Sequence, residues 1–116
     1  MPHNDAPVRD TLAVMTAASL ENSNLPAREF MIVRLAALAA VDAPAASYAL
    51  NVEAAAEAGL TLDDVQDVLV AVAPIVGTSR VVSAAANIAD GLGVVVALAE
   101  AEAEAELEAQ EDGLTR

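Results

Sequence analysis

The sequence predicts an all-α protein, a compact bundle of five to six helices, and three observations predict it. Proline stands at positions 7, 26 and 44, each one or two residues after a residue able to open a helix. That is where the first turn tolerates a missing N–H. Gly59-Leu60-Thr61, followed by Asp63 and Asp64, reads as a helix stop and a capped restart. Hydrophobic residues make up 56% of the chain, yet Phe30 and Tyr48 are its only aromatics, so the apolar content is mostly Ala and Val.

Each helix has its own signals. Asp5 can cap a first helix from about Ala6 to Leu20, with Val8, Leu12, Met15 and Ser19/Leu20 near helical spacing. Asn24 or Leu25 opens a second, whose body carries Arg34 as its only interior charge. A third is expected to start at Asp42 and run to Ala58. Gly59 then supplies the left-handed position and Leu60 the hydrophobic contact after it. Thr61 and Asp64 have the spacing of a capping box. Asp63, Asp64 and Asp67 lie near the positive end of the helix dipole, and Val65, Val68, Leu69 and Val72 form the buried stripe of the fourth helix. Proline in a helix interior costs about 3 kcal/mol, so Pro74 and Gly77 are expected to end or kink it. Thr78 or Ser79 then caps a helix to about Ala89, and Gly91 and Gly93 bracket a bend before the last one.

The last segment alternates Ala and Glu. Period two alone suggests a strand, but both residues are strong helix formers and poor strand residues. In a helix Glu100, Glu104 and Glu108 stack at i, i+4, as do Glu102 and Glu106, and each like-charge pair costs about 0.2–0.5 kcal/mol. The helix is therefore expected to fray after about Glu104. The chain divides into a helical domain, 1–99, and an acidic Ala/Glu-rich helix end or tail, 100–116.

Composition narrows the function. Small side chains bury little area each, so an apolar 116-residue domain is expected to cover surface with copies of itself as a homo-oligomer. The longest uninterrupted apolar runs fall short of the ~20 residues a bilayer span needs. Val81–Ala99 is long enough but is interrupted by Ser83, Asn87, Asp90, Gly91 and Gly93, so no membrane insertion is expected. With no signal-like N-terminus, the expected location is cytoplasmic. The net charge is −13, with five Arg and no Lys. Residues 100–116 hold seven of the 18 acids. Such a surface repels phosphate backbones and argues against nucleic-acid binding. With no Cys, this chain has no disulfide, thiolate metal site or thiol redox chemistry.

Gly59-Leu60-Thr61, then Asp64-Val65, Asp67-Val68-Leu69, Pro74, Gly77 and Arg80, resembles the carboxymuconolactone decarboxylase family, the group that includes alkylhydroperoxidase D. Pro26-Ala27-Arg28-Glu29 and Ile32-Val33-Arg34-Leu35-Ala36 resemble the family's second-helix opening. The likeness covers roughly Leu25 to Ala89. It implies an all-α fold whose protomers assemble into trimers or hexamers. Counting back from Gly59, the redox members' Cys-x-x-Cys-x-x-x-His falls on Pro44, Ser47 and Asn51, and their relay glutamate falls on Met31 or Ile32. Peroxide reduction requires a thiolate that cycles through sulfenic acid and disulfide, so that mechanism is excluded for this chain. Lyase members need no thiol, but they need a proton-transfer group and a cation for a carboxylate. His3, the only histidine, lies too near the terminus to be a good general base.

No catalytic residue stands out, and the candidates each have a bland alternative. Ser47, Tyr48 and Asn51 lie within about one turn, with Ser47 and Asn51 on one face. They can line a small pocket, Tyr48 donating a hydrogen bond and Asn51 polarising, or they can satisfy each other and nearby backbone. Arg34 can clamp a small carboxylate ligand or pair with Glu29, Asp42 or an acid on a neighbouring subunit. Arg80, which resembles the family's Arg near the pocket mouth, faces the same choice. Asn87 and Asp90 are more ordinary as capping or pairing residues. Acids at a helix start are usually solvated dipole partners, so no metal is assigned at Asp63, Asp64 and Asp67, and no cofactor is implied. The acidic tail is a solubilising end or a docking site for a basic partner.

Overall fold

The computed structural model describes residues 6–114. Asp5 and His3, named above as a cap and a weak candidate base, lie outside them. Five helices follow one another: α1 (Pro7–Asn22), α2 (Ala27–Ala40), α3 (Ala45–Glu57), α4 (Leu62–Val76) and α5 (Thr78–Leu114). Among the described residues there is no strand.

Helices α2 and α3 end in the same way. At the end of α3, Gly59 takes φ +86°; its N–H bonds to the Ala56 carbonyl and that of Leu60 to the Ala55 carbonyl, each at 3.0 Å. This pairing of late N–H groups with orphan carbonyls is the stop expected there. At the end of α2 the left-handed residue is Asp42, φ 54°, with the Ala43 N–H on Leu38 O at 3.0 Å and its own N–H on Ala39 O at 3.3 Å. The expected start of the third helix at Asp42 is therefore three residues early. Asp42 closes α2, and Pro44 is the N-cap of α3 rather than an interior residue. Asp and Asn tolerate the left-handed region better than other residues with a Cβ. The Asp42 carboxylate gains a partner there, accepting from Ser83 Oγ at 2.5 Å.

Helix α4 opens on the capping box read from the sequence: Thr61 Oγ1 accepts from the Asp64 N–H at 3.2 Å, and Asp64 Oδ2 accepts from the Thr61 N–H at 2.8 Å. Val68 and Leu69 are its buried residues, with Val65 and Val72 half-buried beside them. Pro74 does not end the helix, which continues to Val76. Lying in the last turn, it deprives only the end of the helix of a hydrogen bond. Gly77, at φ +89°, is both the stop of α4 and the start of α5: its N–H bonds to Ala73 O at 3.0 Å and its carbonyl accepts from Val81 N–H at 3.2 Å. Thr78 and Ser79 therefore lie inside α5 instead of capping it.

The bend expected at Gly91 and Gly93 is absent. Helix α5 runs unbroken for 37 residues, past Glu104 to Leu114, where the charge spacing led us to expect fraying. Gly91 serves a crossing. A Cβ there would lie 2.9 Å from Ala45 O and 3.1 Å from Ala49 N, so only glycine lets α3 approach so closely. Around this crossing sits the core, Ala39, Ala43, Tyr48, Leu69 and Ala84, with Leu35, Leu38, Val72, Val81 and Ile88 packed against it.

Outside this core the chain is open. Helix α1 buries no residue and packs on none of the other helices. Val94, Val96, Leu98 and Leu107 of α5 are all more than half exposed. By length and composition α5 could cross a membrane, with an 18-residue window of mean hydropathy 1.9. Its first half, however, is committed to the bundle through α2, α3 and α4.

Candidate functional site

Between α2, α3, α4 and α5 lies a cavity of about 180 Å³. Leu35 and Leu38 of α2, Val52 of α3, Val65 of α4, and Ile88 and Leu92 of α5 give it an aliphatic wall. Helical spacing explains why α3 turns Tyr48, Asn51, Val52 and Ala55 toward it together: they fall three and four residues apart. Arg34 and Met31, one turn apart on α2, also line it.

Tyr48 is the central side chain. It is 4% exposed, and its hydroxyl is buried with no hydrogen-bond partner. Burial, helped by the charge of Asp42, raises the phenol above its ordinary pKa, so it is a neutral O–H at physiological pH. An unpaired buried hydroxyl costs about 1–3 kcal/mol. Asn51 Nδ2 donates to the Ser47 carbonyl at 2.8 Å, which leaves the Asn51 amide oxygen as an acceptor.

Arg34 is paired with neither Glu29 nor Asp42, two of the partners the sequence offers it. Its guanidinium lies over the Phe30 ring, 4.5 Å from the centroid, and it has no salt bridge among the described residues. The two residues are four apart on α2, so helical spacing alone could have signalled the stack. Arg80 donates Nη1–H to the Ala40 carbonyl at the end of α2, and neither Arg80 nor Ser47 lines the cavity. The structure thus brings Tyr48, Asn51 and Arg34 to one cavity and leaves Ser47 and Arg80 outside it. Met31, at one of the two positions aligned with the relay glutamate, is part of the wall.

Sequence reasoning missed one arrangement entirely. Arg28 grips Asp64 with both arms, Nη2 on Oδ1 at 2.7 Å and Nη1 on Oδ2 at 3.0 Å, while Nη1 also donates to the Gly59 carbonyl at 3.1 Å. Asp64 Oδ2 further accepts from Thr61 Oγ1 at 3.1 Å. These bonds, the Arg28 guanidinium first and then the Thr61 N–H, hold the Asp64 carboxyl well below the usual carboxylate range. The turn they fix supplies Leu60, Thr61 and Leu62 to the cavity wall. Asp64 was legible as a cap and Arg28 as part of a family-like helix opening, but a contact across 36 positions leaves no local signal.

Fold and site together define an all-α protein whose third helix presents Tyr48 and Asn51 to a half-open apolar cavity, with no thiol anywhere in the chain. The chain belongs to the carboxymuconolactone decarboxylase family, whose model matches residues 7–91, from the start of α1 to Gly91. No curated protein and no solved structure matches it.

Proposed function

We propose that this family member is redox-inactive, assembles with copies of itself, and holds a small ligand in the cavity against α3. The observation that carries the ligand-binding reading is the Tyr48 hydroxyl, buried and unpartnered on a residue of the cavity wall. A purely structural tyrosine at the centre of a core normally finds a hydrogen-bond partner.

Self-assembly is supported by area. A folded monomer of this mass exposes roughly 5,900 Å², whereas this chain exposes 8439 Å². The excess is well above the ~800 Å² that each partner contributes to a standard interface. Helix α1 and the distal half of α5 carry much of the uncovered apolar surface, and copies in a trimer or hexamer, as the family likeness implies, would cover it. A lyase-type reaction on a small carboxylate or lactone has less support, because Ser47 and Arg80, two of the four residues it would draw on with Tyr48 and Asn51, lie outside the cavity.

The test is thermal shift against a library of small metabolites, using the wild type, Tyr48→Phe and Asn51→Ala. The expected outcome is a ligand that stabilises the wild type and stabilises Tyr48→Phe less. Without ligand, Tyr48→Phe should be more stable than the wild type by about 1 kcal/mol, since it removes an unsatisfied buried hydroxyl. A library in which nothing stabilises the wild type, together with a Tyr48→Phe protein less stable than its parent, would sink the reading. A hit unaffected by either substitution would move the ligand to another surface.

A further inference from the structure

If the cavity binds a ligand, as proposed above, its chemistry narrows what that ligand is. None of the lining residues is an Asp or Glu, although the chain carries 18 of them. Of the polar side chains in the wall, Thr61 is committed to the capping box on Asp64 and one of the two Asn51 amide N–H groups to Ser47 O. Three groups keep an uncommitted donor: the Tyr48 hydroxyl, the second amide N–H of Asn51 and the Arg34 guanidinium, which alone carries a charge. Phe30 covers a face of that guanidinium, and stacking leaves its in-plane N–H groups available for a planar bidentate acceptor. By contrast, Arg28 is held by Asp64.

We infer that the cavity takes a monocarboxylate with a compact apolar body of about six carbons, its carboxylate on Arg34 and its body against Leu35, Leu38, Val52 and Ile88. Charge sets the head: one cation and no wall carboxylate favour a single negative charge. Volume sets the body, since an apolar cavity of about 150 Å³ holds a benzene ring and this one is of similar size. The aliphatic wall sets the limit. A second carboxylate would be desolvated among leucines with nothing to pair with, so dicarboxylates and polar lactone acids are disfavoured.

The experiment titrates the intact protein with sodium hexanoate, 1-hexanol and adipate at neutral pH, following amide chemical shifts, for the wild type and for Arg34→Met. Hexanoate should bind the wild type at least about tenfold more tightly than hexanol, the usual value of a charge-assisted hydrogen bond, and adipate should bind no better than hexanol. Arg34→Met should erase the preference for hexanoate while keeping hexanol binding, which also reports that the cavity has stayed intact. Hexanol or adipate matching hexanoate on the wild type would overturn the inference, as would a preference that survives Arg34→Met. Silence from all three probes, while a library ligand still depends on Tyr48, also overturns it but leaves the ligand-binding reading standing. Silence from the probes and the library alike overturns both.

Discussion

Helix α5 is two different objects joined end to end. Up to about Leu92 it is pressed into the bundle, with Ala84 fully buried and Gly91 under α3. From Val94 onward Val94, Val96, Leu98 and Leu107 are open to solvent and of the valines there only Val95 is half-buried, while helix α1 buries no residue at all. The first region is specified by shape: small residues that let helices touch, a left-handed stop at each end of α3, and a bidentate Arg–Asp clasp. The second is specified only by helix propensity and a sparse apolar stripe. In proteins most helical stability comes from packing of an apolar face, and these arms have little of it within this copy.

The sharpest way to break this comparison is to place the same substitution on either side of the boundary. Gly91→Ala pushes a methyl onto the backbone of α3, and overpacking of this kind typically destabilises by about 1–3 kcal/mol. Gly93→Ala meets nothing within 4 Å and should gain about 0.5–1 kcal/mol from helix propensity. Thermal melts should move in opposite directions for the two. A Gly91→Ala protein as stable as Gly93→Ala would mean that the crossing is not close.

The clasp should behave as part of the packed region in a pH-dependent way. The Asp64 carboxyl is held below its unfolded value near 3.9. Its contribution to stability is therefore full above about pH 4–5 and is lost as pH falls from there toward the lowered folded value. Arg28→Ala should lower Tm at pH 7, and the gap to the wild type should narrow in melts below pH 4. A gap that widens in acid would mean that Asp64 is not held by Arg28.

The smallest effect belongs to the acidic end. Five glutamates between 100 and 108 lie at alternate positions and repel at i, i+4. Protonation from pH 7 to pH 4 should thus raise the helicity of a peptide spanning 96–114, by circular dichroism, through relief of about 0.2–0.5 kcal/mol per pair. No gain would remove charge repulsion from the description of this arm.

These contrasts also explain what the sequence allowed one to read. The stop at Gly59 and the cap at Thr61 were legible because both depend on backbone chemistry within six residues. Tyr48 and Asn51 were legible because one helix carries them. Asp42 was misread because the same side chain suits a helix start and a left-handed stop, and the choice depends on Ser83, 41 positions away. Gly91 looked like a breaker because glycine's lack of a side chain means opposite things in a bend and in a crossing, and only the partner helix decides. Arg34 pairs with neither Glu29 nor Asp42, the two acids of its own chain that the sequence offered, and lies instead over an aromatic ring one turn back. Pairings local in sequence were recoverable; those that arise from packing were not.

The central claim is that the arms are covered by sister copies, and the mass of the protein in solution tests it most directly. Light scattering on the purified chain at micromolar concentration should give a multiple of 11.7 kDa, expected at three or six copies, and deleting residues 1–24 should lower it. A single species at the protomer mass, still helical at both ends, would contradict the account.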